Sequence, residues 1–392
     1  MGENFSTGRR SFLKGAGVFS VLVAGGAVWR AADQGVFSAG EGPAYEPWQN
    51  WRSDPEGGTT ALVRAAILAA NPHNTQPWLF RVSESRIDLF ADTKRSIGAI
   101  DPDLREMYVG LGCALENLLL AAAANGYVAE LKLLPDFANS THAAHVELTK
   151  GPSVRSVLYE AIADRHTNRG PYDTSRVIGA ELWQAAQELG KDMPDLRIFW
   201  FTNDEQRSRI GKGIIEATQA VIADSQQSQD SAMWERFEWH ALQHHRDGIT
   251  LDAQGLSQIV RVAAKVLPPF SLEQSNEAWL KTTREVFVAK TNTFGILSVR
   301  SNHHRAMRIL GGRLWQRLHL WGTSQGLGLQ PLNQMSERAD REMQLAMTPT
   351  FGNALKELID DQSWQALMPF RIGFPLSKAL PSPRRALKDV VM

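Results

Sequence analysis

The chain has 392 residues, no formal net charge, 43% hydrophobic residues and a single cysteine, Cys113. That length supplies enough core for two domains, and the neutral balance argues against a nucleic-acid binder, which carries a basic face. One cysteine excludes an internal disulfide and any cysteine-based metal cluster.

The first ~40 residues read as a targeting segment and are set apart from the fold, as residues 1–40. Arg9-Arg10-Ser11-Phe12-Leu13-Lys14 resembles a twin-arginine (Tat) export signal. A glycine-rich, mildly apolar stretch follows from Gly15 to Trp29, shorter than the ~20 residues of a membrane span. Cleavage near Ala31 or Ala32 and retention as an anchor both stay open. Either outcome implies the Tat machinery as a partner and a periplasmic or membrane-tethered location outside the inner membrane.

An apolar helical pattern covers 59–70, and strand patterns cover 79–83 and 86–91. Between helix and strand lies Asn71-Pro72-His73-Asn74-Thr75-Gln76-Pro77-Trp78. Asn74 and Gln76 can each donate and accept hydrogen bonds, and the two prolines restrict the backbone on either side. Such a turn suits a flat polar heterocycle. A capped helix end running into a buried strand is the plainer alternative. A long helix is expected over 104–125, then strands near 128–134 and 142–148. On that last strand His142 and His145 are expected on opposite faces, which discounts a metal site.

Arg165-His166-Thr167-Asn168-Arg169 places two guanidiniums and a hydroxyl at alternate positions. In an extended segment these share a face and can converge on one phosphate. A strand follows over 194–201 and an amphipathic helix over 203–223. An insertion over about 225–290 reads as polar helices at Trp234–His240, 255–266 and 272–288. The His244-His245 and His303-His304 pairs lack acidic partners at ligand spacing. A strand at 294–299 leads into a second long helix.

The two long helical patterns align without a gap at an offset of two hundred. Arg105/Arg305, Met107/Met307, Gly112/Gly312, Leu118/Leu318, Leu120/Leu320 and Gly126/Gly326 are identical. Such self-similarity points to an internal duplication.

The loop at Asn74, Gln76, Pro77 and Trp78 resembles the flavin-contacting loop of the nitroreductase superfamily. The Arg165/Thr167/Arg169 triplet looks like that family's FMN-phosphate signature. Pro381-Ser382-Pro383-Arg384-Arg385 is similar to its basic C-terminal segment, with Ser382 where a lysine is common. The resemblance implies an α+β nitroreductase-like fold, here a duplicated pseudo-dimer in one chain, as in the Acg-like branch. The expected halves are 41–150 and 151–392, the insertion forming a lid over the ring or an ordinary helical excursion. The loop falls only in the first half and the phosphate signature only in the second, so one chain should hold one FMN and act as a monomer.

The FMN-binding residues so implied are Asn71, Pro72, His73, Asn74, Gln76, Arg165, Thr167, Arg169, Pro331, Leu332, Asn333 and Arg384. Where the family has Pro-x-Glu-Gly beside the flavin, this chain has Pro331-Leu332-Asn333-Gln334. The flavin would carry the chemistry, with no catalytic side chain and no metal. NAD(P)H and a small-molecule acceptor are the implied partners. Two functions stay open: an oxidoreductase, or a protein that sequesters a capped flavin without nicotinamide turnover. No nucleophile elbow or metal-ligand helix supports a hydrolase.

Overall fold

The computed structural model describes residues 26, 28–52, 58–136 and 138–392. The twin-arginine stretch lies outside the described residues. Helix α1 (Thr59–Ala66) precedes strands β1 (Trp78–Val82) and β2 (Arg86–Ala91). The long helix α2 (Arg105–Ala124) then leads to β3 (Tyr127–Leu133) and β4 (His142–Lys150). These strands form one antiparallel sheet in the order β1-β2-β4-β3.

The chain continues through β5 (Leu196–Phe201) and helix α3 (Asp204–Ala223). Next come α4 (Ser225–Ala232), α5 (Trp239–His245), α6 (Gln258–Val266) and α7 (Leu272–Thr282). Then follow β6 (Thr293–Val299), the second long helix α8 (Arg305–Ser324), β7 (Gly328–Pro331), α9 (Gln334–Gln344), α10 (Thr350–Ile359) and β8 (Gln365–Gly373). The second sheet is also antiparallel, in the order β5-β6-β8-β7. The protein is therefore α+β, and its two four-stranded sheets share one strand order. In each, a 20-residue helix joins the second strand to the third.

Sequence pattern explains each strand's place. Strand β6, Thr-Phe-Gly-Ile-Leu-Ser-Val, is buried at every position and sits inside its sheet. Strand β3 alternates exposed and covered residues and forms an edge. Helix α2 is long and apolar enough to cross a membrane by length and composition, yet most of it is buried within the protein.

The long helices meet backbone to backbone. A Cβ built on Gly112 would lie 2.0 Å from the Ile309 carbonyl oxygen, and one on Gly312 would lie 2.0 Å from that of Val109. Moving every number by two hundred turns one contact into the other. Around the crossing, Glu116 accepts from Arg313 Nε at 2.8 Å and Arg317 Nε at 2.6 Å. Gln316 Nε2 donates to Asn117 Oδ1 at 2.8 Å, and Cys113 Sγ donates to the Gly312 carbonyl at 3.3 Å. Both helices end before a glycine in the left-handed region, Gly126 (φ 76°) and Gly326 (φ 71°). One continuous core runs from Trp78 and Phe80 through Leu111 and Leu115 to Leu314, Leu318 and Phe370.

The C-terminal tail crosses back to the first sheet. Phe80 N donates to the Val390 carbonyl and Met392 N to the Phe80 carbonyl, both at 2.8 Å, which covers the open edge of β1.

Three expectations need correction. His142 Nε2 and His145 Nδ1 both reach Asp88 Oδ1, at 3.0 and 2.8 Å, so they share a face. The cause is a register shift between Leu89 and Phe90, which leaves Ala143 as an extra residue and breaks the two-residue alternation. Trp234–His240 is not a helix: Glu235 bridges to Ile249, and the helix begins at Trp239. The first helix stops at Ala66 rather than 70. The His244-His245 and His303-His304 pairs are exposed. Among the described residues no group of three His, Cys, Asp or Glu could hold a metal ion.

Because both close contacts at the crossing are to main-chain oxygens, neither side can yield by turning a rotamer. Gly312→Val should destabilise the protein by at least the ~1–3 kcal/mol of ordinary overpacking. Urea unfolding of the variant beside the parent measures it, and an unchanged midpoint would mean the helices can slide apart.

Candidate functional site

A cavity of about 600 Å³ lies among α2, the loop before β1, the segment after β4, the end of β7 and residues 225–290. Helix α2 gives Arg105, Glu106, Val109 and Gly110, and the loop before β1 gives Asn71, Pro72 and His73. The segment after β4 gives Thr167 and Arg169, and the end of β7 gives Pro331, Asn333 and Gln334. The insertion supplies another wall, with Phe237, Ile249, Val260 and Trp279 among its residues.

The loop is strained. His73, Asn74 and Gln76 have φ of 45°, 55° and 53°, in the region that side chains other than glycine avoid. Several bonds hold it there. Gln76 N donates to Asn71 Oδ1 at 2.8 Å, and His73 Nε2 meets Ser231 Oγ at 2.9 Å. Gly248 N donates to the Asn74 carbonyl at 3.1 Å. The insertion and the loop thus fix each other.

Asn74 and Gln76 do not line the cavity; they hold the C-terminal tail. Asn74 Nδ2 donates to the Pro383 carbonyl at 3.0 Å, and its Oδ1 accepts from Arg384 Nη1 at 2.5 Å. Gln76 Oε1 accepts from Arg385 N at 2.7 Å, and Gln76 Nε2 donates to the Arg246 carbonyl at 2.8 Å. Of the twelve residues singled out from sequence, Asn71, Pro72, His73, Thr167, Arg169, Pro331 and Asn333 line the cavity. Asn74, Gln76, Arg165, Leu332 and Arg384 stand outside its lining.

Arg165 departs from simple alternation. Its Nη2 donates to the Leu68 carbonyl at 3.0 Å, and its guanidinium lies 5.9 Å from the Trp48 ring. Arg384 sits over the other side of this neighbourhood, 4.6 Å from the same ring, with Nη2 on the Leu68 and Ala69 carbonyls at 3.3 and 3.1 Å. Arg169 Nη1 donates to the Ala253 carbonyl at 3.2 Å. Arg371, fully buried, donates from Nη2 to the Gly170 carbonyl at 2.8 Å and from Nε to Gln330 Oε1 at 2.7 Å.

Among the described residues, none of these four arginines has a carboxylate partner. Arg165 Nε and Arg384 Nε are buried without any hydrogen bond. Burial pushes Arg165 down to about 10. Burial, then the neighbouring Arg371, does the same to Arg169. Burial, then Arg165, holds Arg384 well below the ordinary arginine range. Uncompensated buried cations are costly, and an anion beside them would repay that cost. Arg385 bonds the Gln76 carbonyl at 3.1 Å and does not line the cavity.

Sequence reading missed Arg105, Glu106, Gln334 and Glu337, which also line the cavity. A charged pair at the head of an otherwise apolar helix was the available signal for the first two.

No protein-family model matches the chain. Over 123 residues the chain is 32% identical to "Putative NAD(P)H nitroreductase Rv3131" of Mycobacterium tuberculosis, covering 31% of this chain and 36% of that protein. Over 124 residues it is 30% identical to "Putative NAD(P)H nitroreductase acg" of the same organism, covering 29% and 37%. The chain spans about a third of the length of these curated relatives. Among solved structures it is similar to a nitroreductase with bound FMN from Desulfitobacterium hafniense (14% identity, 61% of this chain and 98% of that one, TM-score 0.36). It is also similar to the FMN-dependent nitroreductase NfnB from Mycobacterium smegmatis in complex with NADPH (13% identity, 60% and 97%, TM-score 0.34).

The cationic cluster also fixes how its histidines titrate. Burial, then the nearby arginines, lowers His166 to about 3, and burial then Arg169 lowers His73 to about 4. Burial likewise holds His319 well below its ordinary value. All three stay neutral when folded, whereas the unfolded chain takes up protons below pH ~6.5. The histidine part of the stability of the ligand-free protein should therefore be level above pH ~6.5 and fall between about 6.5 and 4, while the raised carboxyls of Glu106, Glu235 and Glu337 act in the opposite sense. Each histidine contributes about 1.4 kcal/mol per pH unit at most. Urea midpoints of His319→Gln beside the parent isolate one histidine: the variant should gain on the parent as pH falls from ~6.5 to ~4, and a constant difference would count against it.

Proposed function

We propose that the chain is an FMN-binding oxidoreductase of nitroreductase type. The observation that carries this reading is the carboxylate-free arginine cluster at one end of a cavity of ligand size. Arg169 and Thr167 would take the phosphate, and Arg165 and Arg384 would add positive field from behind. Asn71, Pro72, His73, Pro331 and Asn333 would take the ring. Asn74, Gln76 and Leu332 then act by shaping the site. The names of the partial relatives, both NAD(P)H nitroreductases, support the same reading.

When bound, FMN would supply hydride chemistry between NAD(P)H and a small organic acceptor. The protein's own work would be to bind the phosphate, orient the ring and exclude water. The matched helices, equal strand orders and self-symmetric glycine crossing support a nitroreductase-like pseudo-dimer, duplicated as 41–150 and 151–392. We assign one flavin to each chain, acting as a monomer. The Arg9-Arg10 segment supports Tat export to the periplasmic side, free or tethered.

A second reading has its own support. The insertion forms a whole wall of the cavity and is bonded to the strained loop. A lid so fixed would favour sequestration of the flavin over turnover. An anaerobic titration with NADH and NADPH, with dithionite as control, separates the two. Bleaching by a nicotinamide supports the oxidoreductase; bleaching by dithionite alone supports sequestration.

Arg169→Ala should weaken FMN binding by about 1.5–3 kcal/mol, roughly ten- to over a hundredfold. Flavin fluorescence quenching reads the change, and an unaltered Kd would remove Arg169 from the phosphate site. Flavin-to-protein stoichiometry gives a further check, since two flavins per monomer would contradict the single-site reading.

A further inference from the structure

Another part of the cavity wall carries the reverse charge imbalance. Asp101, Glu106, Glu337 and Asp340 gather around one arginine, Arg105, and all five are buried. Arg105 Nε donates to Asp340 Oδ2 at 2.7 Å, and Nη2 to Glu106 Oε1 at 3.3 Å. The Asp101 carboxylate accepts the backbone N–H groups of Glu106 and Met107, both at 3.0 Å. The next arginine along α9, Arg338, turns instead to Asp224 at 3.2 Å and to Gln227 at 2.6 Å. Four carboxyls against one guanidinium in a buried setting will not all ionise.

Of these four carboxyls, Glu106 and Glu337 line the cavity, close enough that each opposes the ionisation of the other. Burial, then the charge of Glu106, holds Glu337 well above the usual carboxylate range. Burial pushes Glu106 up to about 7, against the opposing pull of Arg105.

An independent observation points to a ligand here. Gln334 lines the same cavity, is only 5% exposed, and its Oε1 has no partner. Asn333 Oδ1 beside it is also without a partner. Buried acceptors left open in this way need a donor from whatever fills the cavity.

We propose that Glu106 and Glu337 hold one proton between them and, with Asn333 and Gln334, form a hydrogen-bonding subsite for an amide- or imide-type ligand edge. Such an edge sets a carbonyl acceptor beside an N–H donor. The carboxylic acid donates to the carbonyl, and an amide oxygen of Asn333 or Gln334 accepts from the N–H. The choice of a flavin ring as the edge rests on the FMN reading; the shared proton does not. Two ligands offer this chemistry, the pyrimidine edge of the flavin and the carboxamide of a nicotinamide.

Infrared difference spectra of the ligand-free protein test the proton directly. The parent at pH 7 should show protonated-carboxyl absorption, and Glu106→Gln/Glu337→Gln should lose the share of it that survives Glu235→Gln. Glu235 also lines the cavity, and burial raises it to about 7, so Glu235→Gln serves as the control that keeps the band. FMN affinity is then followed by fluorescence quenching from pH 7 to 9, above the second ionisation of a phosphate monoester at about 6. In the parent the affinity should fall with a slope approaching tenfold per pH unit, and the double Gln variant should be flat.

A flat parent profile for FMN, with a falling profile for NADH binding to the flavin-loaded protein, would assign the edge to the nicotinamide. Absence of the band, or flat profiles for both ligands, overturns the subsite. An intact band with no FMN binding at any pH would overturn the flavin reading and its ring edge, while the shared proton would stand.

Discussion

Everything in this molecule hangs on two helices touching through their backbones. Gly112 and Gly312 carry no side chain at the crossing, so α2 and α8 approach until each faces the other's carbonyl oxygens. That contact packs both sheets around one core, and both helices reach the cavity, α2 with Arg105, Glu106 and Val109 and α8 with Trp315. Any larger residue at either position would widen the seam and separate the groups that line it. The Glu116 contacts with Arg313 and Arg317 and the Asn117–Gln316 bond fasten the same seam with buried polar groups.

The cavity that results is polarised. At one place the wall carries Arg169, with Arg165, Arg371 and Arg384 nearby and none of them paired to a carboxylate; at another it carries carboxyls that outnumber their one arginine. Both arrangements raise the energy of the empty protein, the first by leaving cations uncompensated and the second by forcing acids to keep protons. Evenly paired charges would have been cheaper to bury. A ligand with an anionic tail and a neutral, hydrogen-bonding ring relieves both at once, and FMN has that form. The strained loop at His73, Asn74 and Gln76 belongs to the same economy, since only the surrounding insertion and tail keep it in place.

The tail returns to the part of the molecule where the resemblance set it. Arg384 does return to the neighbourhood of Arg165, yet it bonds Asn74 and the Leu68 and Ala69 carbonyls rather than facing the cavity. Asn74 and Gln76 spend their hydrogen bonds on that tail. They thereby hold the loop that turns Asn71, Pro72 and His73 toward the cavity.

Much of this protein was legible from sequence alone because local rules govern it. Hydrophobic period and glycine stops mark α2 and α8, alternation marks β3, and a gapless offset relates the two helices. The loop and the arginine triplet supply Asn71, Pro72, His73, Thr167 and Arg169 to the lining of one cavity. What the tertiary structure decided is which side chains face the cavity, because that depends on neighbours far along the chain. Arg165 turns to Leu68 although alternation would set it beside Arg169. His142 and His145 meet at Asp88 because one extra residue, Ala143, breaks the strand's period. Glu106 and Glu337 lie more than two hundred residues apart, and only the glycine crossing brings α2 and α9 to one wall. Spacing along a chain sets local faces; burial and distant contacts set which of those faces a ligand can reach.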